Sequence, residues 1–309
     1  MHELNERLSR AVLAALFNPG LAVIGDLIDF HGPQLALDYL LTESRPAELD
    51  RLVTRALADH DIVTDADLAQ LARDIDENTR AAGARIIAPG EDAWPVGLDD
   101  LTAYRPHGAR WGAPWCLWVQ GKWDLAIDPV RAVAFWGDRF PSEHGASLAA
   151  EAAVGLAQSG YHVIGNGETG IAQKATESAM RLGRALAIVA GGFNRTHLGN
   201  SGRLLEAVAE RGTVYTAQPP GRARSAWATG YRDALLAASA ATLVAVEVPS
   251  RSTDRSFFTT AQALDRTVLS AAHPHLIHKR VGNYGLEEAG AVPAASPAGI
   301  CELVTITTA

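Results

Sequence analysis

The sequence predicts an α/β protein: a Rossmann-like, doubly wound and mainly parallel sheet, preceded by a small all-helical module. Two observations indicate this fold. After Val130, five or six short apolar strands alternate with amphipathic helices, which is typical of a parallel sheet with helices on both faces. Before residue 82, apolar residues instead recur at the three- and four-residue spacing of helices.

The helical module is predicted to span residues 1–82. Its first helical stretch, "RLSRAVLAALF", ends at the turn "NPG" (Asn18–Gly20), and further helical patterns run to Leu40. An acidic helical stretch then continues from about Ala47 to Ala82. Helices that are joined by a tight glycine turn on this scale are similar to SAM or helix-hairpin-helix modules.

The remaining residues, 83–309, are predicted to form one extended Rossmann-like domain. Two short apolar strands come first, within "GARIIAPGEDAWPVGLDDL" and "PWCLWVQG". The alternating strands that follow are "RAVAFWG", "YHVIG", "RALAIVAGG", "GTVYTA", "TLVAVEV" and "TVLSAA". We expect the strands that begin at Ala132, His162 and Ala185 to be neighbours in the sheet.

Composition predicts a soluble, cytoplasmic protein. The 309 residues are 48% hydrophobic and 20% charged, and no apolar run approaches the roughly 20 residues that a membrane span needs. The N-terminus lacks a signal-peptide pattern, and Cys116 and Cys301 lack metal-type spacing, as expected for a reducing compartment. The net charge is −8, but residues 129–309 carry a slight excess of basic side chains, so an anionic ligand is expected there.

A glycine loop after the second alternating strand has the G-x-G-x-x-G pattern of dinucleotide-binding proteins, at Gly165, Gly167 and Gly170. That pattern normally follows the first strand and is completed by an acidic residue about 20 positions later. The corresponding stretch here, "RALAIVAGGFN", contains no aspartate or glutamate, which argues against NAD. Backbone N–H groups at the start of a helix still attract anions, so the loop is predicted to hold another phosphate.

Three glycine-containing turns follow successive strands, namely "WGDR" (Trp136–Arg139), "GNGETG" (Gly165–Gly170) and "AGGFN" (Ala190–Asn194). The carboxyl ends of parallel strands lie along one edge of a sheet, where open α/β sheets bind ligands. The sequence therefore predicts an anion-binding edge. The alternative is that these glycines only permit tight turns.

Basic side chains accompany these turns. Arg139 follows the first strand, Lys174 lies early in the helix after the glycine loop, and "PPGRARSAW" supplies Arg222, Arg224 and Trp227. Arginine forms paired hydrogen bonds with phosphate, and an aromatic ring can stack on a base. The alternatives are a surface ion pair for Arg139, a solvated helix face for Lys174 and burial for Trp227.

The order of these motifs resembles that of the DNA-processing protein A family (DprA, also called Smf). Trp136–Arg139 stands in the place of the family's V-G-S-R, and Gly165–Thr176 in that of S-G-x-A-x-G-I-D-x-x-A-H. Near the end, "VGNYGLEEAGA" is similar to the family's G-x-N-x-L-I-x-x-G-A and contains Gly282, Asn283, Gly290 and Ala291.

This resemblance implies a protein that binds single-stranded DNA, protects it during DNA uptake and homologous recombination, and aids its loading onto a RecA-type recombinase. It also implies a homodimer without catalytic activity, and we expect no cofactor and no membrane association. The chain is expected to be a divergent member that lacks the C-terminal winged-helix module. With Arg232 added by the resemblance, the candidate phosphate-binding residues are Gly137, Arg139, Gly165, Asn166, Gly167, Gly170, Lys174, Gly192, Arg195, Arg232 and Asn283.

Departures from the family pattern leave alternatives open. Asp138 replaces the serine of G-S-R, Thr169 replaces the basic residue before G-I-D, and Ala172 replaces its aspartate. One alternative is a nucleotide-binding sensor or a phosphoribohydrolase-like enzyme of the related superfamily. Gln262 stands nearest to that enzyme's catalytic glutamate, and glutamine cannot act as a general acid or base. Another alternative is an interaction module whose DNA site has decayed.

A metal site is also weighed, because "HPHLIHK" brings together His273, His275 and His278. A structural zinc site needs four ligands in fixed geometry, and the sequence shows no fourth ligand nearby. The sequence contains no recognisable Ser-His-Asp arrangement either. We therefore expect neither a metal nor a catalytic triad.

Overall fold

A single mixed sheet forms the centre of the molecule in this computed structural model. The structure describes residues 4–41, 45–103, 111–122, 127–193, 202–249, 256–272 and 275–308. In these ranges the strands are β1 (Arg85–Ile87), β2 (Leu117–Gly121), β3 (Ala132–Gly137), β4 (His162–Gly165), β5 (Ala185–Ile188), β6 (Thr213–Thr216), β7 (Thr242–Val246), β8 (Thr267–Ala271) and β9 (Val292–Pro293).

The strand order is β1-β2-β6-β5-β4-β3-β7-β8-β9. From β6 to β9 every neighbouring pair is parallel, while β1 and β2 are antiparallel additions at one edge. The expectation that β3, β4 and β5 are neighbours is therefore confirmed, as is the mainly parallel Rossmann-like fold. The two early strands extend this same sheet.

The helices that the structure describes are α1 (Glu6–Leu16), α2 (Ala22–His31), α3 (Pro33–Leu40), α4 (Ala47–Asp59), α5 (Asp65–Ala81), α6 (Asp100–Ala103), α7 (Glu143–Gln158), α8 (Ile171–Met180), α9 (Gly202–Arg211), α10 (Ala226–Ala238), α11 (Ser256–Ala263), α12 (Ile277–Glu288) and α13 (Pro297–Thr307). Helices α7, α8, α9 and α13 pack on one face of the sheet, and α10 and α11 pack on the other. None of them is long and apolar enough to cross a membrane.

The central strands are apolar on both faces because helices cover both. Along β3, Val133 and Phe135 pack among α7, α8 and α13, whereas Ala134 and Trp136 face α10 and α11. Alternate side chains of a strand point to opposite faces, so a strand buried on both sides is a nearly continuous apolar run. This is the pattern by which the sequence predicted a parallel sheet.

The predicted helical stretch from Ala47 to Ala82 is two helices, α4 and α5. The break between the two helices ends at Thr64. The Thr64 hydroxyl accepts a hydrogen bond from the Asp67 amide, and the Asp67 carboxylate accepts one from the Thr64 amide. This reciprocal cap begins a new helix at Asp65. Between the helices, Asp61 has a positive φ of 54°, a conformation that does not continue a helix.

The N-terminal helices contact the antiparallel edge of the sheet. Their apolar core includes Trp115, Cys116 and Trp118, and the Trp118 indole N–H donates to the Thr79 hydroxyl at 3.0 Å. The Asn18–Gly20 turn packs just as closely, since a Cβ on Gly20 would lie 2.6 Å from the Gly112 carbonyl oxygen. The helices therefore share a core with β2. Their division into a module of residues 1–82 and a domain of residues 83–309 stays a prediction.

Candidate functional site

The strand order creates a crossover point in the middle of the sheet. From β3 the chain runs outward through β4, β5 and β6, and it then returns to β7 on the other side of β3. In open α/β sheets, ligands bind outside the carboxyl ends of the strands at such a point. The turns that follow β3, β4, β5 and β7 lie along this carboxyl edge, and these turns include the three glycine-containing segments.

Gly170 brings the first two turns into contact. Its φ is +103°, and a Cβ there would lie 2.2 Å from the Asp138 carbonyl oxygen and 2.6 Å from the Cα of Arg139. The Ile171 amide, the first of α8, donates to the same Asp138 oxygen at 3.1 Å. A residue with a side chain would clash with this backbone, so glycine is what allows Arg139 to lie beside the glycine loop.

The other predicted glycines mainly permit close packing of backbone. A Cβ would lie 2.0 Å from the Val246 carbonyl oxygen at Gly137, 2.2 Å from the Thr176 hydroxyl at Gly165, 2.8 Å from a Val189 methyl group at Gly167, and 2.0 Å from the Pro219 carbonyl oxygen at Gly192. These positions give the edge its shape. The Asn166 side chain has a similar part, since its oxygen accepts from the Glu168 amide at 3.0 Å within the loop.

Glu168 lies at the centre of a group of three arginines. Its Oε1 is 2.5 Å from Arg232 Nη1 and 2.9 Å from Arg224 Nη2, and its Oε2 is 3.6 Å from Arg139 Nε. Burial alone would raise the pKa of Glu168, but the charge and hydrogen bond of Arg232, with Arg224 and Arg139, outweigh burial and hold that pKa below its ordinary value. Glu168 is thus ionised at neutral pH.

The three arginines differ in how far their side chains are exposed to solvent, and therefore to a ligand. The Arg139 and Arg224 side chains are 59% and 42% exposed, so their guanidinium groups face solvent beside Glu168. The Arg232 side chain is only 3% exposed. Lys174 is half exposed on α8, with its Nζ 3.8 Å from a Glu177 carboxylate oxygen. Arg139 and Arg224 therefore present exposed cations beside Glu168, whereas Lys174 pairs with a residue of its own helix.

Asp138, whose carboxylate would repel a phosphate, is paired within the protein. Its Oδ2 is 2.6 Å from Lys279 Nζ, and its Oδ1 accepts from the Phe140 amide at 2.9 Å. Lys279 also donates to the Phe140 carbonyl oxygen at 2.5 Å. The negative charge that the sequence placed beside the site is thus neutralised by a lysine of α12, and the pair fixes the turn that carries Arg139.

A second buried carboxylate belongs to Glu247, at the end of β7. It accepts hydrogen bonds from the Ser142 amide, at 2.7 Å, and from the Ser142 hydroxyl. Gly145 leaves room for it, because a Cβ there would lie 2.5 Å from the Glu247 carboxyl carbon. The Glu247 carboxylate therefore occupies the N-terminus of α7, an end of a helix that would otherwise attract a phosphate. The N-terminus of α8, which follows the glycine loop, has no side-chain cap within the part of the chain that the structure describes.

Two residues of the predicted basic segment, Arg222 and Trp227, contact other parts of the protein. Arg222 donates from Nη1 to the carbonyl oxygen of Ala15 in α1, so it links the N-terminal helices to this edge. Trp227 packs against Trp111 and Tyr231, with ring centroids 5.2 Å and 4.9 Å away. Of the predicted clamp of Arg222, Arg224 and Trp227, Trp227 thus follows the alternative of packing against the core, and Arg224 is an exposed basic residue of that segment.

Sequence comparison identifies the family. Residues 85–305 match the family model of the DNA recombination-mediator protein A. The chain belongs to this family. A putative DNA processing protein DprA of Mycobacterium tuberculosis is 33% identical to it over 216 residues, which are 68% of this chain and 54% of that protein. The chain therefore spans about half the length of the curated relatives that it matches.

Solved structures of two DNA processing A proteins share the fold. The protein from Streptococcus pneumoniae superposes with a TM-score of 0.69 at 16% identity, over 97% of this chain and 98% of that one. The protein from Helicobacter pylori, whose structure is described for its unique single-stranded DNA binding mode, gives 0.60 at 16% identity, over 72% of this chain and 96% of that one.

The DprA motifs placed Arg232 and Asn283 among the binding residues, and the structure corrects both. Arg232 donates from Nε and Nη2 to Asp233 Oδ1, at 2.8 Å and 2.6 Å, and from Nη1 to Glu168 and to the Asn166 carbonyl oxygen. Its guanidinium group is buried and donates to these three residues, so it positions the glycine loop from the protein interior.

Asn283 is fully buried between α12 and the sheet. Its Oδ1 accepts from the Val248 amide at 2.8 Å, and its Nδ2 donates to Ser270 Oγ at 2.9 Å and to the carbonyl oxygens of Ala245 and Ala271, both at 3.2 Å. The side chain therefore ties the helix to β7 and β8. It supports the edge from the protein interior.

The DprA pattern has alanine at the position of Glu168, in S-G-x-A-x-G, so this chain replaces a methyl group with a carboxylate. Sequence reasoning missed the role of Glu168, of Lys279 and of Glu247, because each acts through a partner more than 60 residues away. Arg195 and His273 lie outside the described residues. Within those residues, no three histidine, cysteine, aspartate or glutamate side chains are grouped as metal ligands.

Proposed function

We propose that this chain binds single-stranded DNA at the carboxyl edge of its sheet and acts in DNA uptake and homologous recombination. In this role it protects the strand and aids its loading onto a RecA-type recombinase, as a homodimer in the cytoplasm. Membership of the DNA recombination-mediator protein A family supports this proposal, as does the single-stranded DNA binding that is described for the protein from Helicobacter pylori.

One observation assigns the proposed DNA binding to particular residues. Arg139 and Arg224 come from turns 85 positions apart, yet both point to Glu168 and both expose their guanidinium groups beside the glycine loop. Arginine suits phosphate because its planar group presents several donors at once. A phosphodiester on the solvent side of Glu168 would meet both guanidinium groups, and the three arginines of this group outnumber the Glu168 and Asp233 carboxylates with which they pair. Such contacts hold the DNA backbone and leave the bases unread.

The proposed role is binding and not catalysis. Gln262, the residue nearest to the place of a phosphoribohydrolase's glutamate, donates from its amide to the Ala289 carbonyl oxygen at 3.2 Å. It serves there as a contact between α11 and the end of α12. Glu168, the acidic residue of the glycine loop, is held ionised by arginines and so has no proton to donate as a general acid at neutral pH.

The first test replaces Arg139. The Arg139→Ala variant should bind a labelled oligothymidylate more weakly by roughly 1–3 kcal/mol, the scale of one lost charge-assisted contact. Fluorescence anisotropy at several salt concentrations measures this, and the wild-type log–log slope should be about −2, since about three phosphates are neutralised at about −0.7 each. Arg55→Ala is the control, because Arg55 is also an exposed arginine with a carboxylate partner, on α4. Equal losses in both variants would contradict the proposed site.

A second test replaces Asp138. The Asp138→Ser variant releases Lys279 Nζ from its carboxylate partner, while the serine hydroxyl can still accept from the Phe140 amide. Binding of the oligothymidylate should tighten by roughly 1 kcal/mol, because one more cation becomes available beside the phosphate. Adding Lys279→Ala should remove the gain. A neutral result for both Asp138→Ser and Arg139→Ala would favour the interaction module with a decayed site.

A further inference from the structure

The turn that carries Arg139 also presents an aromatic ring to solvent. Phe140 is 81% exposed, whereas Phe135 and Phe257, which flank the same region in sequence or in space, are fully buried. Single exposed apolar side chains are common on protein surfaces, so exposure by itself does not mark a site. What distinguishes Phe140 is that its backbone is fixed and that its neighbour is the exposed arginine of the anion-binding edge.

The backbone of Phe140 is held from both sides. Its amide donates to Asp138 Oδ1 at 2.9 Å, and its carbonyl oxygen accepts from Lys279 Nζ at 2.5 Å. Pro141 follows and has a fixed φ. The start of the turn packs against Gly170, as described above. The ring is thus attached to a rigid loop tip, and a partner that covers it would not have to order the backbone first.

We propose that Phe140 is a stacking platform for an unpaired nucleobase whose phosphate lies on Arg139. In a single strand each base is attached to its own phosphate through one sugar, so a cation and a ring on consecutive residues can contact the two ends of one nucleotide. Every base has a π-face, so such a contact is tolerant of sequence. Bases in a duplex are already stacked on each other, so this ring selects single strands over double strands.

This inference rests on the proposed function and adds to it a contact with the base. The phosphate contacts alone would hold duplex and single-stranded DNA alike, because both present phosphodiesters. Phe140 supplies the part of the site that depends on an exposed base. The prediction is therefore specific to the ligand: removal of the ring matters only when the strand carries bases.

The experiment compares two ligands of equal length and charge, a labelled oligothymidylate and a strand of abasic sites. The Phe140→Ala variant should bind the oligothymidylate about tenfold more weakly, within the range known for loss of one base–aromatic stack, and should bind the abasic strand as the wild type does. Phe140→Leu, which keeps apolar area without a π-face, should behave like Phe140→Ala. Phe140→Trp should restore binding.

The matched control is Phe30→Ala. Phe30 is 83% exposed on α2, its ring contacts His31, and the residues next to it in sequence are Asp29 and His31, so its removal should leave both ligands unaffected. The urea midpoint of each Phe140 variant should equal that of the wild type, because the ring lies on the surface.

Four results would overturn the inference. Unchanged oligothymidylate binding in Phe140→Ala and Phe140→Leu, with weaker binding of both ligands in Arg139→Ala, removes the stacking role and leaves the proposed function standing. An equal loss on both ligands means that Phe140 acts only by placing Arg139. A shift of Phe140→Ala to smaller assemblies in light scattering, without a change in binding, assigns the ring to a protein contact. If the wild type binds neither ligand, the proposed function itself fails and the inference fails with it.

Discussion

Replacing Arg232 with alanine should lower the free energy of unfolding by about 3–5 kcal/mol, the cost of breaking a buried ion pair by removing one partner. Arg232 is 3% exposed and donates to two carboxylates, Asp233 and Glu168. Without it, the buried Asp233 loses both bonds that it receives from the guanidinium group, and the glycine loop loses the donor to the Asn166 carbonyl oxygen. Urea unfolding, followed by tryptophan fluorescence, measures the change.

Arg139→Ala is the matched control for this prediction, because Arg139 pairs with the same Glu168 carboxylate. Its side chain is 59% exposed and its Nε lies 3.6 Å from the oxygen, so its loss should cost less than about 1 kcal/mol of stability. The two variants thus separate a residue that holds the loop in place from one that is proposed to contact the ligand. Similar stabilities for both would show that burial of Arg232 is not what supports the loop.

Much of this fold could be predicted because its determinants are local. Strands such as β3 are apolar along their whole length, and the turns after them contain glycine, so a parallel sheet with glycine-containing turns along its carboxyl edge follows from the sequence. The Thr64 cap is also a local signal, yet it was missed, because the acidic helical pattern continues on both sides of it. The predicted helical stretch from Ala47 to Ala82 therefore showed no division, where the structure has α4 and α5.

The chemistry of the site could be predicted only in part, because its charges are paired over long distances in the chain. Asp138 looked like an obstacle to phosphate until Lys279, 141 positions later, was found to neutralise it. Glu168 is surrounded by three arginines from separate segments of the chain. No local pattern encodes such a contact, and burial is what decides between a ligand-binding arginine and a structural one.

The other large effect is expected at Gly170. Gly170→Ala should lower the free energy of unfolding by about 2–5 kcal/mol, since alanine at φ +103° is strained and its Cβ would lie 2.2 Å from the Asp138 carbonyl oxygen. Relief of the clash must move the turn that carries Arg139, so single-strand binding should fall further than in Arg139→Ala at a temperature where the variant is still folded. Urea unfolding and anisotropy, made on the same preparation, measure both effects.

Gly285→Ala separates this effect from the general cost of replacing a glycine. Gly285 lies inside α12, and a Cβ there would meet no atom within 4 Å, so alanine should be neutral or should stabilise the helix by up to about 1 kcal/mol. The difference in stability between Gly170→Ala and Gly285→Ala depends on the contact between the glycine loop and the Asp138–Arg139 backbone. If Gly170→Ala is as stable as Gly285→Ala and binds single strands as the wild type does, the two turns do not pack as described. Arg139 would then lack the rigid support on which both proposals rely.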